Sequence, residues 1–200
     1  MTASFSQPPK RITCEHLTDE IIAEYQNSGF TLAFAEEVMC FDLSQAIPSI
    51  ALPSDIACLP WNAEHIPAFF AVYQAAFRER PGFPYWSMEQ WVHWHTNDAT
   101  FRPDLTLLAM AQEQPVAFIA STDDAELPQQ IGWIGQLGVH PQWRGRGLAA
   151  ALISQNLLAW RSEGKHAVML DVNVNNPGAM HLYQRLGFTV VGRRGAFYSS

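Results

Sequence analysis

Residues 137–150 read Leu-Gly-Val-His-Pro-Gln-Trp-Arg-Gly-Arg-Gly-Leu-Ala-Ala, and they join a predicted strand to a predicted helix. The apolar run before it predicts a strand over residues 131–139, and the apolar period after it predicts a helix over residues 147–163 closed by Gly164. A helix that begins directly after such a turn presents free backbone N–H groups and the positive end of its dipole. Both features favour a phosphate group as ligand.

The glycines and arginines of this stretch strengthen the prediction of an anion site. Gly145 and Gly147 would let a ligand approach the backbone closely, and Arg144 and Arg146 place positive charge beside it. A glycine-rich turn with solvated arginines would give the same residues. Gly145-x-Gly147-x-x-Ala150 also fits a dinucleotide-binding fingerprint, although five residues separate its first glycine from the strand.

The flanking sequence predicts an α/β (α+β) fold with a mixed central sheet and helices on both faces. Upstream we expect an amphipathic helix, a second helix opened by a Ser87–Gln90 capping box, and a hairpin, over residues 63–80, 87–95, and 105–111 with 116–121. Downstream we expect a strand, a helix and a last strand over residues 167–172, 176–186 and 188–192. Nearer the N-terminus we expect a helix from Thr18, a hairpin of residues 30–34 and 38–43, and a linker over residues 47–60.

A short internal echo relates the two ends of the chain. Tyr25-Gln26 followed by Gly29-Phe30-Thr31 recurs as Tyr183-Gln184 followed by Gly187-Phe188-Thr189. In both copies a predicted helix ends and a predicted strand begins. This shared context favours a partial duplication over a chance match.

Two motifs resemble the GNAT (GCN5-related N-acetyltransferase) superfamily. Gln142-x-x-Gly145-x-Gly147, with Arg144 and Leu148-Ala149, is similar to its pyrophosphate-binding motif. Asn176-x-x-Ala179-x-x-Leu182-Tyr183-x-x-x-Gly187-Phe188 is similar to its second conserved block, in the family order. The resemblance covers roughly residues 55–198. The echo at Tyr25 suggests a truncated GNAT-like segment (residues 1–48, a helix plus a β-hairpin) before a complete GNAT domain (residues 49–200).

The resemblance implies a V-shaped splay between the fourth and fifth strands of the family fold, with acetyl-CoA lying in it as cosubstrate. It implies a CoA site made of the following residues: Leu137, Gly138, Val139, Gln142, Arg144, Gly145, Arg146, Gly147, Leu148, Ala149, Asn176, Ala179 and Tyr183. Tyr183 would also be catalytic, as the general acid that protonates the departing thiolate. Strand glycines at positions 132, 135 and 138 are consistent with close backbone approach or with a weak strand.

The implied activity is direct transfer of an acetyl group from acetyl-CoA to a primary amine, on a small molecule or a peptide, within a ternary complex. The general base is open, because Gln130 and Gln136 stand where many family members carry a Glu. His93, His95 and Asp124 are candidates acting through a water. Tryptophans at positions 86, 91 and 94 could line an acceptor pocket or belong to the core. The alternative function is a non-catalytic acyl-CoA-binding sensor module.

The composition limits the kinds of binding partner that we expect. The formal net charge of -7 makes a nucleic-acid partner unexpected. Arg193 and Arg194 add a second basic pair that could serve an anionic ligand. Cys14, Cys40 and Cys58 form no metal-binding pattern, so we expect reduced thiols, no metal and a cytoplasmic protein. The sequence predicts neither a signal peptide nor a membrane span, and it leaves a monomer or a homodimer open.

Overall fold

The computed structural model describes residues 10–80 and 82–199, so the polar N-terminus, where no signal peptide was predicted, lies largely outside the described residues. Within that part of the chain there are eight strands and five α-helices. The strands are β1 (Arg11–Cys14), β2 (Phe30–Asp42), β3 (Ile56–Pro60), β4 (Leu107–Ala111), β5 (Gln114–Asp123), β6 (Ile131–Val139), β7 (Ala167–Asn173) and β8 (Thr189–Ser199). The helices are α1 (Asp19–Asn27), α2 (Ile66–Phe77), α3 (Met88–Thr96), α4 (Leu148–Ser162) and α5 (Pro177–Leu186).

The strands belong to a mixed sheet, and the chain divides into two compact units. We call the described part of Phe41–Leu170 the larger unit, and the described residues of Met1–Cys40 and Asp171–Ser200 the terminal unit. None of the helices in the described ranges is both long and apolar enough to cross a bilayer.

The larger unit confirms the predicted layers. Its strands follow the order β7-β6-β5-β4-β3, with β6 and β7 parallel and the other pairs antiparallel. Side chains alternate along a strand, and those on both faces of β5 are buried. Phe118 packs on one face against Phe69 of α2 and Trp91 of α3. On the other face Ser121 Oγ accepts a hydrogen bond from Asn156 Nδ2 of α4 at 2.8 Å.

Local sequence signals correctly predicted several secondary-structure elements of this unit. The capping box at the start of α3 is present, since Ser87 Oγ accepts from the Gln90 N–H at 3.2 Å and Gln90 Oε1 accepts from the Ser87 N–H at 2.9 Å. The predicted linker is wrong in its last part, because Ile56–Pro60 pairs with β4 as the outermost strand. Pro60 is tolerated there because an edge strand can lack one donor.

The terminal unit corrects the predicted N-terminal hairpin. Its strands follow the order β1-β8-β2, with the end of β7 next to β2, and Phe30–Asp42 is one continuous strand. Glu36 and Glu37 are not a turn, because they pair across the ladder with Arg194 and Arg193 of β8. Opposite charges on facing residues stabilise a sheet, so two adjacent acidic residues are compatible with a strand here. The strand β1 was missed.

The echo has the same structure in both copies. Gly29 and Gly187 both have positive φ, 82° and 101°, where a helix ends and a strand begins. The Tyr25 and Phe30 ring centroids are 5.8 Å apart with planes at 77°, and those of Tyr183 and Phe188 are 6.0 Å apart with planes at 57°. The shared helix-glycine-strand context is therefore confirmed, and the duplication itself stays a prediction.

Candidate active site

A β-bulge at Gly135 sets the geometry of β6. The register with β5 pairs Ala120 with Gln136 but Ser121 with Ile134, which leaves Gly135 as the extra residue. The parallel register with β7 runs only from Ile131–Ala167 to Ile134–Leu170 and ends where the bulge begins. The splay expected after this point therefore coincides with a local change in β6, which continues to Val139.

The bulge also reverses which face each later side chain of β6 occupies. A Cβ on Gly132 would lie 2.5 Å from the Trp160 ring of α4, whereas a Cβ on Gly138 would lie 2.6 Å from Phe118 on the opposite face. These two glycines are thus required by side-chain packing. Gly135 has ordinary space around it, with its nearest neighbour at 3.8 Å, and it is the one at the bulge.

The predicted anion loop lies between β6 and α4. Pro141–Trp143 forms a single 3-10 turn, in which His140 Nδ1 faces the Gln142 backbone N–H at 3.3 Å. Gly145 and Gly147 follow with φ of 76° and 80°, and nothing lies within 4 Å of a Cβ built on either. Glycine is therefore needed for the left-handed backbone, and the space above it is open to a ligand.

Gly147 is the N-cap of α4, so the helix has no side-chain cap, and its first turn contains no acidic residue. The first intrahelical bond is made by the Ala151 N–H to the Gly147 carbonyl at 3.0 Å, so earlier N–H groups lack helical acceptors. Leu148 is buried, and Ala149 is half-buried beside it. Small or apolar side chains at these positions leave the positive end of the helix to the backbone.

The side chains of the two arginines in this loop make contacts within the protein. Arg144 Nη2 donates to the Ala76 carbonyl of α2 at 3.1 Å, and its Nε donates to the Val139 carbonyl at 3.4 Å. Arg146 stacks on Trp143, with its guanidinium carbon 4.3 Å from the ring centroid. Both side chains remain exposed. They therefore hold the loop in place while keeping their charge at the surface beside it.

The second motif lies in the terminal unit and forms the start and middle of α5. Asn176 is the N-cap, since its Oδ1 accepts from the Ala179 N–H at 3.2 Å. Ala179 is half-buried in the first turn, and Tyr183 is 8% exposed in the middle of the helix. Burial raises the pKa of the Tyr183 phenol to about 12, so it stays protonated at neutral pH.

Asp171, within β7, was missed as an acid–base candidate. Its Oδ2 is bound by Arg194 Nη2, while its buried Oδ1 has no hydrogen-bond partner among the described residues. Burial raises its pKa to about 6; Arg194 opposes that shift, and the neighbouring Glu36 and Glu15 add to it. Asp171 follows an apolar run that can be seen in the sequence, but nothing in the sequence indicates that its carboxylate is desolvated.

Two of the base candidates named from sequence, Asp124 and His95, are less suitable. Burial acts to raise the pKa of Asp124, but hydrogen bonds from Trp133 Nε1 at 2.6 Å and from backbone N–H groups leave it below its ordinary value. Burial lowers the pKa of His95 to about 4, so it is a weak proton acceptor. Gln136 Oε1 accepts from Trp91 Nε1 at 3.3 Å, and this amide cannot act as a base.

Arg193 and Arg194 are not a free basic pair. Arg193 Nη2 lies 2.7 Å from Glu37 Oε1, and Arg194 bridges Glu36 and Asp171. Their charges are compensated within the terminal unit, which argues against a role in binding an anionic ligand.

Residues 66–188 match the family model described as the Acetyltransferase (GNAT) family. The chain belongs to this family. A mycothiol acetyltransferase of Thermobispora bispora is 31% identical over 165 residues, covering 80% of this chain and 56% of that protein. An uncharacterised N-acetyltransferase of Methanocaldococcus jannaschii is 31% identical over 127 residues, covering 60% and 54%. The GNAT chain thus spans about half the length of the curated relatives it matches.

Solved structures agree on the fold of this GNAT protein. A GCN5-related N-acetyltransferase from Sphaerobacter thermophilus aligns with a TM-score of 0.75 at 24% identity, covering 96% of this chain and 60% of the other. A tandem GNAT protein from the clavulanic acid biosynthesis pathway aligns with a TM-score of 0.68 at 16% identity, covering 94% and 63%. The predicted fold class is therefore confirmed.

Proposed function

We propose that this protein is an N-acetyltransferase that moves an acetyl group from acetyl-CoA to a primary amine by direct attack in a ternary complex. Membership of the acetyltransferase family supports the reaction class. Relatives named as mycothiol acetyltransferase and N-alpha-acetyltransferase 30 support an amine acceptor, on a small molecule or a peptide. The proposal involves no metal, and it retains the expected cytoplasmic location.

The observation that carries the proposal is the uncapped start of α4 behind two glycines of positive φ. Its backbone N–H groups would bind the pyrophosphate of CoA, with charge from Arg144 and Arg146. Leu137, Gly138 and Val139 would offer backbone groups to the pantetheine arm, because they lie beyond the last β6–β7 register pair. Gln142, Leu148, Ala149, Asn176 and Ala179 complete the proposed set.

Tyr183 would protonate the CoA thiolate as it leaves. A phenol with a pKa of about 12 would transfer its proton to a thiolate uphill in water, and burial of the thiolate reduces this difference by raising its own proton affinity. A phenol that stays protonated across the physiological range is always ready to donate.

Asp171 is our proposal for the general base. A carboxylate with a pKa of about 6 is mostly ionised at neutral pH and is more basic than an ordinary one. Its buried Oδ1 has no hydrogen-bond partner among the described residues and would be the atom that accepts the proton. The amine must be neutral to attack, and a lysine-like amine costs about 4–5 kcal/mol to deprotonate at pH 7.

The test is thiol release from acetyl-CoA against pooled amines, amino acids and peptides, with CoA affinity measured in parallel. We expect turnover in at least one pool, and we expect Tyr183→Phe to lower kcat by about 10²- to 10⁴-fold with CoA affinity unchanged. Unchanged turnover in Tyr183→Phe would remove this residue from the mechanism. CoA binding without turnover in any pool would instead support the sensor module.

A further inference from the structure

An open groove runs along one flank of α3 in the larger unit. It has a volume of about 480 Å³, which is within the range of small-molecule sites. Its lining consists of Trp86, Gln90, His93, Trp94, Asn97 and Asp98. We call this set the α3 groove.

Two indole rings form the apolar part of the α3 groove. The Trp86 and Trp94 ring centroids are 5.6 Å apart, with the planes inclined by 41°. Trp94 is 48% exposed, whereas Trp91, on the core-facing side of the same helix, is fully buried. Sequence spacing alone could not separate these two tryptophans. An indole left half exposed on a rigid helix offers its face to a ligand.

The electrostatics of the α3 groove favour a cation. Its Asn97 and Asp98 end lies at the C-terminus of α3, which is the negative end of the helix dipole, and the Asp98 carboxylate adds a full negative charge. His93 is the other ionisable side chain in the lining, and the nearby His95 stays neutral because burial lowers its pKa to about 4. None of the described lining residues is a lysine or an arginine. Indole faces with a nearby carboxylate are suited to bind an organic ammonium group.

The helix that carries the α3 groove is fixed to the strand proposed to hold pantetheine. Trp91 Nε1 donates to Gln136 Oε1 of β6 at 3.3 Å, and Trp91 also packs at 6.0 Å from Phe118 of β5. A ligand group bound in the α3 groove is therefore held at a constant position relative to β6.

We propose that the α3 groove binds a second cationic group of the acceptor, separate from the amine that is acetylated. This inference rests on the proposed function. The attacking amine must lose its proton, while indole faces and a carboxylate stabilise the charged form of whatever they bind. The group in the groove is consequently not the nucleophile. The acceptor class is a diamine, a polyamine or a peptide with a basic side chain near its reacting amine.

A pair of matched acceptors tests this. One is a primary alkylamine ending in a trimethylammonium group, and the other is its isostere ending in tert-butyl, so that only the charge differs. Across several chain lengths at pH 8, we expect kcat/KM to favour the cationic member by about five- to thirtyfold at the best length. Equal kcat/KM for the two members at every length would overturn the inference while leaving the acetyltransferase reaction intact.

Variants of α3 locate the effect. Trp94→Leu and Asp98→Asn should each remove most of the preference for the cationic acceptor. The asparagine keeps the Oδ1 that accepts from the Thr100 N–H at 2.9 Å and from its hydroxyl at 2.6 Å, so the local turn is preserved. Glu89→Gln removes one negative charge from the other flank of the same helix and should leave the preference unchanged. Loss of the preference in Glu89→Gln as well would refute the assignment to the α3 groove.

A binding measurement separates the α3 groove from the reaction. In a ¹H–¹⁵N titration with tetramethylammonium, the indole N–H signals of Trp86 and Trp94 should shift, with assignments from Trp86→Leu and Trp94→Leu. The signal of Trp133, held by Asp124, should not move. No shift at either groove tryptophan would overturn the inference. A shift without thiol release from any amine would support the cation site and contradict the proposed function.

Discussion

Gly147→Ala, compared with Gly164→Ala, tests whether the start of α4 binds the CoA pyrophosphate. The two glycines stand at opposite ends of α4 with φ of 80° and 81°, and neither has an atom within 4 Å of a built Cβ. An alanine at either position therefore meets the same left-handed strain of about 1–2 kcal/mol without a clash. For a chain of this size that corresponds to a fall in Tm of about 2–8 °C in both variants.

Only Gly147→Ala places a methyl group beside the free N–H groups of the first turn. If it breaks one charge-assisted hydrogen bond worth about 1.5–3 kcal/mol, the Kd for CoA rises by about 10- to 150-fold. Calorimetric titration with CoA and thermal unfolding measure the two quantities on the same samples. A Kd for Gly147→Ala that equals that of Gly164→Ala would refute the assignment of this helix end to the anion.

Three further predictions concern packing and ionisation. Gly138→Ala should lower the free energy of unfolding by about 1–3 kcal/mol, because its Cβ would lie 2.6 Å from Phe118. In denaturant unfolding, Gly138→Ala combined with Phe118→Leu should lose less free energy of unfolding than the sum of the two single variants. The folded-state pKa of Asp171 is raised to about 6, so its contribution to stability is full below about pH 4 and is lost as pH rises through 6. Asp171→Asn should remove this loss of up to about 3 kcal/mol in the free energy of unfolding. The same variant should also abolish the corresponding limb of the pH profile of kcat/KM. For Tyr183 the raised pKa of about 12 means that stability falls above about pH 10, by up to about 1.4 kcal/mol per pH unit, and urea unfolding of Tyr183→Phe should lack this slope.

The elements predicted correctly have short-range causes. The Ser87–Gln90 capping box and the left-handed glycines at positions 147, 164 and 187 act within one turn of their helices, so they can be recognised in a few consecutive residues. The same holds for the two motifs that relate the chain to the GNAT family. The predicted CoA residues on the loop after β6 do lie together at one helix end.

The errors and omissions have long-range causes. Two adjacent glutamates at positions 36 and 37 suggested a turn, but arginines more than 150 residues away make them part of a strand. Ile56–Pro60 became a strand only because β4 provides its hydrogen-bond partners. Neither partner can be identified from local composition, because pairing depends on which strands the fold brings side by side.

Local sequence was enough to predict where α4 begins, that its first turn carries no acidic residue, and which family the chain resembles. The face on which Gln136 lies depends on the folded structure. An even spacing from Gly132 would place both residues on one face of β6, and the bulge at Gly135 reverses this. The folded structure likewise decided that Asp171 is desolvated and that Trp94 is exposed while Trp91 is not. Backbone conformation at a glycine or a cap depends on neighbouring residues, whereas burial and proton affinity depend on everything the fold packs around a side chain.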